Sequence, residues 1–398
     1  MGRKSFSGYR SWSFLEPNKD YRPFKFVKEI GRVPSSKVEL SKVEEERVEE
    51  FIEKHILISL HDHIQVFPED PSEFIEYTQR NRPFIGYEGL AVSGLDAVFD
   101  GLFDGIGMMT KDPWSWDNVV YQIGMERADI DHSGIAFIGS RAEDVERAFR
   151  EGRIAVFLHL EGPPRIGHDV DRIDVLYGLG VRMMGIAYSE GSELGAGLAC
   201  KVDNGLTDLG YEAVDRMNKL GMIIDLAHAG DRTSMDVVNY SRDPVVISHA
   251  GARALWPSRR MKPDEVIKAV AEKGGVIGVE AAPHTTITRN HPRHTIESVM
   301  EHFQYLEKLV GIDHVAFGPD TLFGDHVALH RVFSAYLSLA AAQEGLPEYP
   351  RVEYVDGLEN PSEFVNIIRW LVKHGYSDNE IAKVVGENVL RIMRRILR

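Results

Sequence analysis

Eight short runs rich in Val, Ile and Leu recur along the chain, and amphipathic segments fill most of the gaps between them. The runs are ILISLHDH (56–63), LDAVFDGL (95–102), IAVFLHLE (154–161), VRMMGIAY (181–188), MIIDLAH (222–228), PVVISHA (244–250), GVIGVEA (275–281) and HVAFGPD (314–320). A strand that is apolar on both faces must be covered on both faces, which is the condition of a parallel sheet under helices. The helices are predicted in SRAEDVERAFREG, DRIDVLYGLG, YEAVDRMNKLG, TSMDVVNYS, KPDEVIKAVAEKGG and TIESVMEHFQYLEKLVG. Eight such strands predict an α/β fold closed into a (β/α)8 TIM barrel. The competing arrangement is an open doubly wound sheet, but no G-x-G-x-x-G follows the first strand to support it.

A bare barrel takes about 250 residues, whereas this chain has 398. Residues 1–40, interrupted by Pro17, Pro23 and Pro34, are expected to form an N-terminal arm packed on the barrel. Residues 41–398 are expected to be a single hydrolase domain, opening with a helix capped by Ser41. The remaining excess falls in long insertions at 64–94, 103–139 and 321–360, and in two C-terminal helices, PSEFVNIIRWLVKHG and SDNEIAKVVGENVLRIMRRIL. Each insertion follows a strand, on the face where such barrels keep their active sites.

Charge and cysteine usage narrow the partners. Acidic residues number 61 against 46 basic ones, a net charge of −15, so neither nucleic acid nor an anionic membrane is an expected partner. The single cysteine, Cys200, makes no intrachain disulfide. The first residues lack the apolar core of a signal peptide, and no run approaches the roughly 18 uncharged apolar residues of a membrane span. The expectation is a soluble cytoplasmic protein acting on a small molecule.

The strand ends carry the chemistry. The first run ends His61-Asp62-His63, and residues two apart in a strand share a face, so both imidazoles are expected to point into the barrel mouth. Glu161 ends the third run, Tyr188 the fourth, His228 the fifth and Asp320 the eighth, while His249 is next to last in the sixth. Imidazole and carboxylate donors suit Zn²⁺. The candidate ligands His61, His63, Glu161, His228 and His249 exceed what one tetrahedral ion needs. They fit two divalent ions bridged by a carboxylate, which at about 3.5–4 Å apart acidify a water between them. His159 shares a face with Glu161 and is read as core or as support for a ligand, and Asp225 as an orienting group. Met183 and Met184 are read as core, the run Glu44-Glu45-Glu46 as a solvated helix face, and His284, His291 and His294 as solvated loop residues.

Three phrases between Arg153 and Pro263 carry a family resemblance: EGRIAVFLHLEG, NGLTDLGYEAVDRMNKLGMIIDLAH and PVVISHAGARALWPSRRMKPDEV. VAFGPD and GLENPSEFVNIIRWLVKHGYSDNEIAKVVGENVLRIM extend it through the tail. In these the chain resembles the membrane (renal) dipeptidase family of the amidohydrolase superfamily. The resemblance implies a barrel hydrolase with two zinc ions. On it, Glu161 matches the bridging carboxylate, His61 a ligand of the first ion, and His228 and His249 the ligands of the second. Asp320 matches the aspartate that handles the proton and the substrate amine, and Arg260 the arginine that grips the substrate carboxylate. Two positions depart from the pattern. His63 stands where the family has an aspartate, and Tyr188 where it has a histidine that polarises the scissile carbonyl.

The expected function is a metal-dependent hydrolase of amide bonds, foremost a dipeptidase using a hydroxide bridged between two zinc ions. The alternatives are hydrolysis of N-acyl amino acids, cyclic amides or lactones, and, in another class, a non-catalytic metal- or ligand-binding barrel. By analogy a homodimer is admitted.

Overall fold

Each of the eight apolar runs contains one parallel strand of a single barrel. The computed structural model describes residues 4, 6–80, 82–102, 114–283, 285–333 and 352–397. In chain order its strands are β1 (Ile58–Asp62), β2 (Gln65–Val66), β3 (Phe84–Ile85), β4 (Ala97–Gly101), β5 (Ala136–Ile138), β6 (Ile154–Leu160), β7 (Val181–Gly185), β8 (Ile223–Asp225), β9 (Val246–Ala250), β10 (Val276–Val279) and β11 (Val315–Phe317). The barrel runs β1-β4-β6-β7-β8-β9-β10-β11, all parallel. The six predicted helices lie at Ala142–Glu151, Asp171–Gly178, Asp208–Leu220, Asp231–Tyr240, Asp264–Glu272 and Ile296–Val310. Their ends follow local chemistry. The Thr207 hydroxyl accepts the Gly210 N–H at 3.0 Å, and Gly221 ends the same helix in the left-handed region at φ 78°.

Alternation along the strands makes two apolar layers. Ile58, Leu60, Phe99, Phe157, Met183, Ile223, Val246, Val276 and Ala316 form one buried cluster inside the barrel. Their neighbours Val98, Val156, Ile224, Ile247 and Ile277 belong to the cluster beneath the helices. The last helix, Asn388–Ile396, sends Val389, Ile392, Met393 and Ile396 into the inner cluster and so floors the barrel. Asn388 fixes it there by donating to the carbonyls of Ile312 and Val315, both at 2.8 Å.

Three strands carry one residue more than the neighbour they pair with, among them β7, where Val181 pairs with Leu158 but Met183 with His159. In β1, Ser59 pairs with Val98 but Asp62 with Asp100; in β9, Ile247 pairs with Ile277 but Ala250 with Val279. A bulge of this kind re-aims the residues beyond it. Past the β1 bulge, His61 and His63 face the barrel mouth although Ile58 and Leu60, of opposite parity, already face its interior. The barrel closes at the same level. Asp320 N–H donates to His61 O at 3.0 Å, and His63 N–H to Thr321 O at 2.8 Å. Asp62 secures this seam by accepting the Thr321 N–H at 2.8 Å and hydroxyl at 2.7 Å.

Two expectations need correction. The segment 103–139 is not only an insertion: it holds a helix, Trp116–Ser133, and the strand β5. β5 pairs with the first half of β6, beside the stretch that β7 takes over from Leu158. Three residues directly after a long helix were too short a run to separate from it. The final predicted helix is divided, with a π-turn over Lys383–Glu387 between Asp378–Ala382 and Asn388–Ile396. There Gly386 lies so close to the Ile56 carbonyl that a Cβ would stand 2.1 Å from it. The remaining insertions hold the antiparallel pair β2–β3 and a helix at His326–Val332. Residues 103–113, 334–351 and His284 lie outside the described residues. No helix among the described residues is long and apolar enough to cross a membrane.

Candidate active site

Six residues from five strand ends meet at the barrel mouth: His61, His63, Glu161, His228, His249 and Asp320. Asp320 Oδ1 stands 3.3 Å from both His61 Nε2 and His63 Nε2. Glu161 spans the centre, with Oε1 3.6 Å from His63 Nε2 and Oε2 2.9 Å from His228 Nε2 and 3.7 Å from His249 Nε2. The His61 and His249 rings stack with centroids 3.8 Å apart. Ligand atoms of three sets, His61–His63–Asp320, His61–Glu161–His249 and His249–Glu280–Asp320, lie within 4.8 Å of one another.

Each imidazole is oriented from its far side. His63 Nδ1 is 2.7 Å from the Gly101 carbonyl, which can only accept, so Nδ1 carries a proton and Nε2 faces the centre. His249 Nδ1 meets the Ser248 hydroxyl at 2.7 Å, His228 Nδ1 the Ser189 hydroxyl at 3.0 Å, and His61 Nδ1 the His159 Nδ1 at 3.0 Å. Four Nε2 atoms thereby converge. His228 Nε2 and His249 Nε2 face each other at 3.1 Å, and Glu161 Oε1 is buried with no hydrogen-bond partner. Opposed lone pairs beside an unsatisfied carboxylate oxygen fit divalent cations, whose charge is what such a donor set lacks.

The electrostatics agree at three of the four imidazoles. Burial lowers His61 to about 3 and holds His228 and His249 well below the usual histidine range, which keeps them neutral. Burial raises Glu161 to about 8. At His63, burial opposes the cation, yet the Asp320 and Glu161 carboxylates push it up to about 9. Burial also works against an ionised Asp320, but the adjoining His61 and His63 imidazoles hold it well below the usual aspartate range.

The other predicted residues surround this centre. Tyr188 is buried, its ring stacked on His228 at 4.2 Å. Arg260 is buried and already engaged: its Nη1 donates to the carbonyls of Ala227 (3.3 Å) and His249 (3.1 Å), and its Nη2 lies 2.6 Å from Glu280 Oε2. His159 stands between His61 and Asp225, its Nε2 3.3 Å from Asp225 Oδ2. His294 is buried rather than solvated, with burial lowering it to about 4. The sequence reading missed Glu280, which sits one residue inside the end of the seventh run. It also missed His326 and His330, stacked at 4.7 Å on the helix after β11 and close enough to Asp320 and His63 to feel their charges. Their spacing of four residues in DHVALHRV was the available signal.

Comparison with known proteins shows what the chain is similar to. A model of the family described as membrane dipeptidase (peptidase family M19) matches residues 126–331 and 344–397. Dipeptidase tcpJ of Claviceps purpurea is 28% identical over 258 residues, covering 64% of this chain and 54% of that protein. Dipeptidase aclJ of Aspergillus oryzae is 29% identical over 258 residues, covering 64% and 55%. The chain thus spans about half the length of these curated relatives. Among solved structures, an amidohydrolase from Pseudomonas aeruginosa superposes with a TM-score of 0.72 at 23% identity, covering 88% of this chain and 99% of that one. The probable dipeptidase PvdM from the same organism gives 0.70 at 20%, covering 90% and 99%. A metallo peptidase from Rhodobacter sphaeroides, liganded with a phosphinate mimic of the dipeptide L-Ala-D-Ala, gives 0.66 at 19%, covering 86% and 100%. At these identities the likeness to solved structures is one of fold.

Proposed function

The chain belongs to the membrane dipeptidase family, and from that membership and the convergence of four imidazole Nε2 atoms on Glu161 we propose that it is a zinc-dependent dipeptidase. His61 and His63 would hold one ion, His228 and His249 the other, with one Glu161 oxygen toward each. Bound ions supply an activated water and polarise the carbonyl it attacks. Asp320 is ionised at the mouth, where it accepts a proton and returns it to the leaving amine. Tyr188, stacked on His228, would donate a hydrogen bond from its hydroxyl to the developing oxyanion. Arg260 would pair with the substrate carboxylate in place of Glu280. On the same reading residues 41–398 are one catalytic domain, with residues 1–40 an arm tied to it through Tyr9 and Trp12, which both donate to Asp129. A single cysteine suits a cytoplasmic setting.

The Arg260–Glu280 pair favours one other reading, an amidohydrolase acting on N-acyl amino acids, cyclic amides or lactones, because it occupies the guanidinium that a dipeptide carboxylate needs. Metal analysis coupled to a panel of dipeptides and acylated amino acids decides between them. Two divalent ions per chain with turnover of free dipeptides supports the dipeptidase. Turnover confined to acylated or cyclic substrates supports the alternative, and absence of bound ions overturns both.

A further inference from the structure

We propose that Asp225 is a single anchor for both metal subsites, orienting His61 through His159 and His249 through Ser248. The inference rests on reading His61 and His249 as ligands of different ions. Asp225 ends β8, is fully buried, and lies behind the centre rather than in it. Its Oδ1 accepts the backbone N–H of Ser248 at 2.7 Å and of Ala227 at 3.1 Å. Its Oδ2 accepts the Ser248 hydroxyl at 2.8 Å and faces His159 Nε2 at 3.3 Å. Three donors thus bond one carboxylate, and the otherwise unpartnered His159 Nε2 faces it.

The directions of these bonds resolve in one way. If His61 presents its Nε2 lone pair to an ion, its proton is on Nδ1 and donates to His159 Nδ1, 3.0 Å away. Neutral His159 then carries its own proton on Nε2, where the Asp225 carboxylate accepts it. On the other branch, His249 Nδ1–H donates to the Ser248 oxygen, and the Ser248 hydroxyl donates to the same Asp225 oxygen. A carboxylate at position 225 therefore sets the tautomer of a ligand on each side of Glu161.

An amide at this position reverses both branches. Asn keeps one oxygen, which the two backbone N–H groups claim, and turns its NH₂ toward His159 and Ser248. His159 then accepts at Nε2 and donates from Nδ1, forcing the His61 proton onto Nε2. Ser248 accepts from the amide and donates to His249 Nδ1, forcing the His249 proton onto Nε2 as well. Both lone pairs are lost to the ions without any ligand being changed.

Chelator-competition titration of the zinc-loaded protein, with metal content counted per chain, tests this. Removing such an outer partner costs roughly 10–100-fold in metal affinity. Asp225→Asn should weaken both ions by that factor. His159→Leu and Ser248→Ala should each weaken one, and their double variant should weaken both. His159→Gln, which keeps one acceptor and one donor, should lie nearer the parent than His159→Leu. Selective ¹⁵N-histidine spectra of metal-free Asp225→Asn should show protons moved from Nδ1 to Nε2 on two rings. A double variant that keeps one tight ion would show that both branches serve the same subsite and would overturn the proposal, as would unmoved tautomers in Asp225→Asn. A parent protein that holds fewer than two ions overturns the metal reading and this inference with it.

Discussion

Asp320 meets His61 twice: its backbone N–H donates to the His61 carbonyl at 3.0 Å, and its Oδ1 stands 3.3 Å from the Nε2 of the same residue. The seam that closes the barrel and the group assigned to proton transfer are therefore one residue. It sits in the left-handed region at φ 57°, which asparagine also tolerates. Asp320→Asn should keep the seam, the fold and the metal content while kcat falls by roughly 10²–10⁴, the range for a lost general base. Turnover within a few-fold of the parent would assign the proton to another group.

Glu161 carries a second prediction, since its two oxygens face opposite pairs of histidines. Glu161→Ala should bind fewer than two ions per chain and lose turnover together with them. Stripping the parent with a chelator should lower its melting temperature, because ions that bind only the folded state stabilise it by mass action. Full occupancy with normal turnover in the variant would remove the bridge.

Arg260 ties three strand ends together through Ala227, His249 and Glu280. Arg260→Met strands the Glu280 carboxylate, and breaking a buried pair costs about 3–5 kcal/mol. Glu280, raised by burial to about 7, can escape that cost by taking a proton, so the penalty should be smaller at pH 6 than at pH 9. Denaturant titrations at the two pH values read this directly. For catalysis, Arg260→Lys should raise KM for free dipeptides far more than for their C-terminal amides, and equal effects would mean that no carboxylate is read there.

A fourth prediction concerns acid stability away from the centre. His302 is buried, its Nδ1 accepting the Ala252 N–H at 2.9 Å and its Nε2 facing the Ile287 carbonyl at 3.3 Å. Burial lowers it to about 4. Between pH 6.5 and 4 the unfolded chain takes up a proton there and the folded one does not, so stability falls with pH across that window and is unaffected above it. The loss at this site alone is on the order of 3 kcal/mol by pH 4. His302→Asn should show a shallower decline of unfolding free energy over the same range, whatever its stability at pH 7. Parallel curves would place the acid sensitivity elsewhere.

The strands were legible in the sequence because each is buried on both faces, and the residues that meet at the mouth because each stands at or next to the end of such a run. What the pattern did not carry was register. Extending the alternation from Ile58 and Leu60 would have pointed Asp62 into the barrel in place of His61. The extra residue in β1 reverses this, and it is defined only against Val98 and Asp100 of the neighbouring strand. The role of Asp62 at the Thr321 seam was hidden for the same reason. Glu280 escaped notice because the run continues past it to Ala281, and β5 because three apolar residues after a helix make no pattern. Arg260 was singled out through the resemblance alone, and a partner such as Glu280, distant in sequence, leaves no trace near it in the chain.

The helix Asn388–Ile396 floors the barrel yet follows every strand it seals. A chain emerging from the ribosome carries all the histidines of the centre long before it owns the apolar surface that shuts water out beneath them. The inner apolar cluster is complete only with Val389, Ile392, Met393 and Ile396 in place, so the floor of the barrel cannot form before this last stretch of the sequence has been made. Moving this helix to the front of the gene by circular permutation would change that order.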